Sequence, residues 1–467
     1  MYLIFDTETT GLPKNYNAPI TDTENWPRCV QIAWQLHDDM GNLVDHQDYL
    51  IKPDGFNIPY ESEQIHGIST ALAEQDGIPL QEALKKFNGA LSKTKFVVGQ
   101  NVAFDVNVMG CEFFRESVEN PLQELPILDT CTEHTASLCQ IPGGRGGKFK
   151  LPTLTELHQY LFGQPFAEAH NATADVEATT RCFLELVRKR QFTEEQLDVQ
   201  PNYFEQFSEA NPQEIPRIGL KHINLREASK EIADALWKKD TGGTTEVELQ
   251  KNIANLANVD FVHLHNHSQF SVLQSTMSTK YLVELAAENE MSAVALTDHG
   301  NMMGAFHFVK QVKAHNKTVR ENNKEALENG ETPTAKEITP IIGCEFFVCE
   351  DHSNKSTKDN WYQIVLLAKN KIGYQNLAKM ASKAYTDGFY YVPRIDKNII
   401  ETYKEHVIAL SGNLYGEVPN KILNVGEKQA EEALLWWKQN VEEDIYLEIM
   451  RHGQEDEDRV NQALIPL

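Results

Sequence analysis

Tyr2 to Phe5 is a short unbroken apolar run of β-forming residues and predicts a buried strand at the start of the chain. Side chains two apart share one face of a strand, so Asp6 and Glu8 point the same way at its end, about 7 Å apart along the backbone. A second strand-like stretch begins at Lys95 and leads into Val98-Gly99-Gln100-Asn101-Val102-Ala103-Phe104-Asp105. A helical rhythm opens at His170-Asn171-Ala172-Thr173-Ala174-Asp175 and runs through Val176, Ala178, Cys182, Leu184 and Val187. Asn171 or Thr173 can cap that helix, which places Asp175 in its first turns, where the helix dipole favours an ionised carboxylate. His170 lies just ahead, close enough to face the same site. Strand and helix patterns alternate in this way to about residue 190.

Residues 191–258 break the rhythm. Pro201, Pro212 and Pro216 interrupt a polar stretch, helical patterns follow over Leu225–Trp237 and Glu246–Leu256, and the segment predicts a partly helical connector. A third region, 259–467, opens on Phe261-Val262-His263-Leu264-His265-Asn266-His267-Ser268, where His263 and His265 fall on one face of a strand and suit a metal-binding pair. Ala295-Leu296-Thr297-Asp298-His299 and Ile341-Ile342-Gly343-Cys344-Glu345 are apolar strands ending in metal-capable residues. Ligands at the ends of successive strands, with helical patterns between, predict a β/α barrel with its site at one end of the strands. Val312 to Lys336 is polar and charge-rich and predicts an exposed helix or loop.

A chain of 467 residues is enough for two or three domains, and 41% hydrophobic with 24% charged residues is the composition of a soluble globular protein. There is no basic, apolar leader and no long apolar stretch, so neither a signal peptide nor a membrane span is expected. Seven cysteines without a CxxC pair fit free thiols in a reducing cytoplasm. The net charge of −25 argues against autonomous tight binding of nucleic acid, although not against DNA as a substrate.

Carboxylates converging at the end of a core strand repel one another and resist desolvation. A divalent cation between them removes both penalties, because hard oxygen ligands are what Mg²⁺ or Mn²⁺ prefers. Asp6 and Glu8, then Asp105, then His170 and Asp175 resemble in order and spacing the motifs of the DEDDh proofreading exonucleases. Ile65-His66-Gly67-Ile68 and Ile127-Leu128-Asp129-Thr130 add smaller landmarks, and the likeness covers residues 1–190. Gln100 stands where many members have a histidine, outside the five catalytic positions. The resemblance implies a ribonuclease H-like α/β fold with a mixed central sheet and flanking helices. It implies Asp6, Glu8, Asp105, His170 and Asp175 as catalytic residues, the four carboxylates holding two Mg²⁺ or Mn²⁺ ions and His170 acting as base. It further implies that Thr9, Leu12, His66 and Phe104 contact the substrate.

The third region resembles the PHP domain that opens the alpha subunit of bacterial family C replicative DNA polymerases. The likeness rests on Leu366-Leu367-Ala368-Lys369-Asn370, Gly373-Tyr374-Gln375-Asn376-Leu377, Ala409-Leu410-Ser411-Gly412 and Tyr446-Leu447-Glu448-Ile449 with Arg451-His452-Gly453. Metal-bearing versions carry an acidic residue, a histidine and a cysteine where this chain has Gln274, Gln363 and Asn413, and neutral amides are poor ligands for Zn²⁺ or Mn²⁺. His263, His265, His299 and Glu345 survive, with Asp298 nearby. The expectation is a C-terminally truncated PHP-type β/α barrel, structural in role, whose metal is absent or weak.

Together these resemblances imply a cytoplasmic 3′–5′ exonuclease that edits a single-stranded or mispaired DNA primer end, as the front of a polymerase whose synthetic core is absent. Replisome subunits would bind through that missing part, and no membrane is involved. A PHP phosphoesterase or pyrophosphatase with an accessory nuclease, an RNA-directed exonuclease, and a non-catalytic scaffold are the alternatives.

Overall fold

The computed structural model describes residues 1–166, 171–220, 223–240, 260–356 and 361–465. The chain divides into two compact units, Met1–Gly242 and Gly243–Leu467. Among the described residues no helix is long and apolar enough to cross a membrane.

The first unit is built on a sheet of β1 (Tyr2–Thr9), β2 (Cys29–His37), β3 (Leu43–Leu50), β4 (Phe96–Gly99) and β5 (Ile127–Asp129), in the order β3-β2-β1-β4-β5. β1 to β3 form an antiparallel meander, while β4 and β5 join parallel to β1. Central position explains the apolar run that begins the chain, because both faces of β1 are covered. Leu3 and Phe5 pack with Trp34 and with Phe87 and Phe113 from helices Leu80–Leu91 and Ala103–Arg115. Tyr2 and Ile4 pack on the other face against Val176, Phe183 and Val187 of helix Ala172–Arg188. β3, at the edge, alternates between half-buried and exposed residues.

The segment expected to be a connector contributes to this core as far as it is described. Tyr203, Phe204 and Phe207 of helix Tyr203–Ala210 join the cluster around Tyr2 and Ile4, and Ile215 follows them. The Tyr203 hydroxyl lies 3.2 Å from that of Tyr2 and donates to the Asp39 carbonyl at 2.7 Å. Leu225, opening helix Leu225–Asp240, packs on Ile58, Ile68 and Leu72, and Ser229 Oγ donates to the Gly67 carbonyl at 2.7 Å. The helical pattern read over 246–256 lies outside the described residues.

The second unit is a mixed sheet of β6 (Ala293–Leu296), β7 (Thr339–Cys349), β8 (Tyr362–Ala368), β9 (Arg394–Asp396), β10 (Val407–Leu410) and β11 (Ile445–Tyr446). The order is β11-β10-β8-β7-β6, with β9 on β7. The barrel expected to be truncated is unclosed: the described strands form an open sheet, and β8 runs antiparallel to both β7 and β10. β7 is the spine. It pairs with β6 up to Ile342 and with β8 from Gly343. A Cβ at Gly343 would lie 2.6 Å from the Leu366 carbonyl oxygen and 2.9 Å from the Thr297 methyl, so only glycine lets the two partners approach where β7 changes neighbours. Helices Lys371–Thr386, Lys397–Tyr403 and Glu427–Val441 cover one face around Leu377, Ile400 and Trp437. Helix Ala305–Glu328 covers β6 with Phe308 and Val312 and carries the charged residues predicted to be exposed.

Candidate active site and a second histidine cluster

At the end of β1 the strand's alternation turns Asp6 and Glu8 to the side of Tyr2 and Ile4, which helix Ala172–Arg188 covers. That helix is started by Asn171, whose side chain accepts from the Thr173 and Ala174 amides at 3.1 and 3.4 Å. The cap places Asp175 in the first turn. Carboxylate oxygens of Asp6, Glu8 and Asp175 then lie within 4.8 Å of one another. Asp105 approaches through the residue between the two strand carboxylates: its Oδ1 accepts from the Thr7 amide at 3.0 Å and from Thr7 Oγ1 at 2.6 Å.

The start of the Asp105 helix is itself pinned. Asp129 accepts from the Asn101, Val102 and Cys131 amides at 2.8, 3.2 and 2.7 Å, and Asn101 sits in the left-handed region at φ 59°. Sequence reasoning named Asp129 only as a landmark. Its role in shaping the turn depends on residues about 28 positions apart in sequence, which no local pattern reveals.

Four carboxylates at one strand end carry an electrostatic signature. Burial, then repulsion from Asp175 and Asp105, pushes Glu8 up to about 8. Burial pushes Asp105 up to about 7 against the two Thr7 hydrogen bonds that favour its charged form. Asp6 is held well above the usual carboxylate range by burial and then by Asp105, Asp175 and Glu8. Such a cluster fits divalent cations, which would compensate both the burial and the repulsion.

His170 lies outside the described residues. Thr9 is buried at the end of β1 and donates its hydroxyl to the Gly11 carbonyl at 2.7 Å. Leu12 is 74% exposed in the loop that follows. Gly11 faces Ser62 of helix Tyr60–His66, whose last residue, His66, is buried with Nδ1 accepting from the Ile68 amide at 3.0 Å. Phe104 is half-buried against the core beside Asp105.

In the second unit Glu345 is fully buried in mid-β7, not at a strand end, and gathers three imidazoles. His265 Nε2 lies 3.3 Å from its Oε1, His267 Nε2 lies 3.0 Å from its Oε2, and His299 Nδ1 contacts that same oxygen. His265 Nδ1 also meets Glu448 Oε1 at 2.8 Å. Burial opposes ionisation of Glu345, yet the close His265, His267 and His299 rings hold its carboxyl well below the usual range. Burial disfavours the charged form of His265, and its two carboxylate partners outweigh that and raise it to about 9. His263 is not in the cluster; it is exposed, with its ring packed edge-on against Phe261. The pair is His265 and His267, one period later than the pair read from the sequence. Residues 260–268 form no regular strand, so alternation gave the spacing of the pair and not its phase. Asp298 is bound by Ser268 and Ser271, whose hydroxyls donate to Oδ1 at 3.0 and 2.8 Å, and so it fastens the histidine loop.

Residues 3–183 match the exonuclease family and residues 263–452 match the PHP domain family. The chain joins an exonuclease domain to a PHP domain. DNA polymerase III subunit alpha of Borreliella burgdorferi is 37% identical over 209 residues, and that of Treponema pallidum 36% over 217 residues. These alignments cover 44% and 45% of this chain but only 16% and 17% of the relatives, so the chain spans about a sixth of their length. Among solved structures, E. coli exonuclease I bound to single-stranded DNA aligns with 42% of this chain and 42% of its own at 23% identity and a TM-score of 0.33. Exonuclease I of Methylocaldum szegediense aligns with 44% and 42% at 24% identity and the same score.

The PHP domain presents His265, His267 and Glu345 with ligand atoms within 4.8 Å of one another, which fits one ion. It departs from a multinuclear site at the three amides. Gln274 is exposed, Gln363 is half-buried on β8, and Asn413 Nδ2 donates to Glu345 Oε1 at 3.4 Å, where it occupies a lone pair. In the exonuclease domain Asp6, Glu8 and Asp175 converge, and Asp105 is bonded to Thr7 between the first two.

Proposed function

We propose that this chain is a metal-dependent 3′–5′ exonuclease that releases nucleoside 5′-monophosphates from DNA ends as the editing part of a polymerase III alpha subunit. The observation that carries the reading is the convergence of Asp6, Glu8 and Asp175, with Asp105 anchored to the residue between the first two. Asp6, Glu8 and Asp175 would hold Mg²⁺ or Mn²⁺, with Asp105 supporting a second position. Bound there, a pair of ions supplies charge stabilisation for the attacking and leaving oxygens of an in-line displacement. His170, next to the Asn171 cap in sequence, takes the proton from the attacking water, a role that imidazole chemistry suits around neutral pH. Thr9, Leu12, His66 and Phe104 contact the terminal nucleotides.

The PHP domain serves as scaffold, binding at most one weak ion at His265, His267 and Glu345. DNA, rather than RNA, follows from its similarity to polymerase alpha subunits, and replisome partners would bind outside this chain. Purified chain with Mg²⁺ or Mn²⁺ and a 5′-labelled mispaired primer should shorten it stepwise from the 3′ end, and Asp6→Ala should not. Equal shortening by both proteins would refute the site.

A further inference from the structure

Two of the four carboxylates stand on different elements: Glu8 on β1 and Asp175 on helix Ala172–Arg188. Something must hold those elements in register, since ligand placement within a fraction of an ångström decides metal affinity. Gln31 is the cross-strand partner of Glu8 and shares its face of the sheet. It is 1% exposed, and both ends of its amide are used. Oε1 accepts from the Ala172 amide at 3.3 Å, at the first residue of the Asp175 helix. Nε2 donates to Asp48 Oδ1 at 2.8 Å on β3. The other Asp48 oxygen accepts from Thr173 Oγ1 at 2.6 Å, which returns the chain of bonds to the same helix turn. Asp48 therefore also sets a carboxylate beside the positive end of that helix.

We infer that Gln31, with Asp48 and Thr173, is a positioning residue that sets the Asp175 helix against β1 and so fixes the spacing of the metal-binding carboxylates. This rests on the reading of Asp6, Glu8 and Asp175 as ligands. The buried amide needs partners for its own sake, but a purely structural amide would be satisfied anywhere. Gln35 gives the comparison: it lies four residues along the same strand, is equally buried, and uses only its oxygen, which bonds His37 away from the carboxylates.

The test is a DNA-free Mn²⁺ titration of the full chain, read by calorimetry or by the Mn²⁺ paramagnetic resonance signal, alongside melting temperature. Gln31→Leu and Thr173→Val should each weaken Mn²⁺ binding by about 10-fold or more. Thr173→Ser, which keeps the hydroxyl, should bind like wild type, and Gln35→Leu should leave the titration unchanged. In primer shortening, Gln31→Leu should need more Mn²⁺ for half-maximal rate and approach the wild-type rate when saturated. A Gln31→Leu protein that melts lower yet titrates like wild type overturns the positioning role and leaves the nuclease reading standing. A wild type with no Mn²⁺ binding that Asp6→Ala abolishes overturns the nuclease reading, and the positioning role with it.

Discussion

Replacing Glu8 by glutamine in metal-free protein should stabilise the exonuclease domain, and by an amount that grows with pH. Glu8 sits at about 8 rather than its ordinary 4.5. Below pH 4.5 it is neutral in both folded and unfolded chain, so glutamine changes little. Between 4.5 and 8 the unfolded chain ionises while the fold keeps the proton, and wild-type stability falls as pH rises. At roughly 1.4 kcal/mol per pH unit, the ceiling at pH 8 is about 5 kcal/mol. Asp6, Asp105 and Asp175 share the repulsion, so removing one charge should return on the order of 2 kcal/mol. Calorimetry in EDTA from pH 5 to 8 reads this as a gap between Glu8→Gln and wild type that opens with pH. Mn²⁺ should then reverse the order at pH 8, because only the wild type keeps the full ligand set. A gap that stays constant from pH 5 to 8, or no gap at pH 8, would refute the argument that these carboxylates strain the fold.

Glu345→Gln should cost the PHP domain about 3 kcal/mol, since three imidazoles lose the carboxylate they share; denaturant unfolding measures it. Glu112 is fully buried and takes Arg28 Nε and the Cys29 amide at 3.0 and 2.8 Å as well as Arg115 at 3.2 Å. Glu112→Ala, which removes the buried counter-charge of both guanidinium groups and the acceptor of the Cys29 amide, should destabilise the exonuclease domain by about 3–5 kcal/mol in the same assay. Metal analysis of a protein carrying both Asp6→Ala and Glu8→Ala should find no more than one bound ion per chain, and two or more would contradict a scaffold role for the PHP domain.

What the sequence disclosed divides by range of interaction. Strand β1, its two same-face carboxylates, the Asn171 cap and the helix behind it are local patterns, and each was readable from a few neighbouring residues. The amides at 274, 363 and 413 stood out only through the family resemblance. The phase of the histidine pair was not readable, because an irregular backbone from 260 to 268 carries spacing without a face. Glu345 was identified, yet its place in mid-strand depends on β7 extending to Cys349, past the point where an apolar strand ending in a ligand would stop. The antiparallel β8 was invisible, since the partner change at Gly343 is a contact with Leu366, more than 20 residues on. Gln31 was passed over and Asp129 was named only as a landmark for the same reason: their meaning lies in bonds to distant segments.

The strap formed by Tyr203, Phe204, Phe207 and Leu225 bears on how freely the exonuclease domain can be moved between proteins. The family match ends at residue 183, but the hydrophobic interior does not. A transplant cut at 190 would uncover Tyr2, Ile4 and Phe183 on one side and Ile58 and Ile68 on another. The transferable piece is therefore longer than the recognisable one, and recombination between relatives would keep the tail with the nuclease it covers.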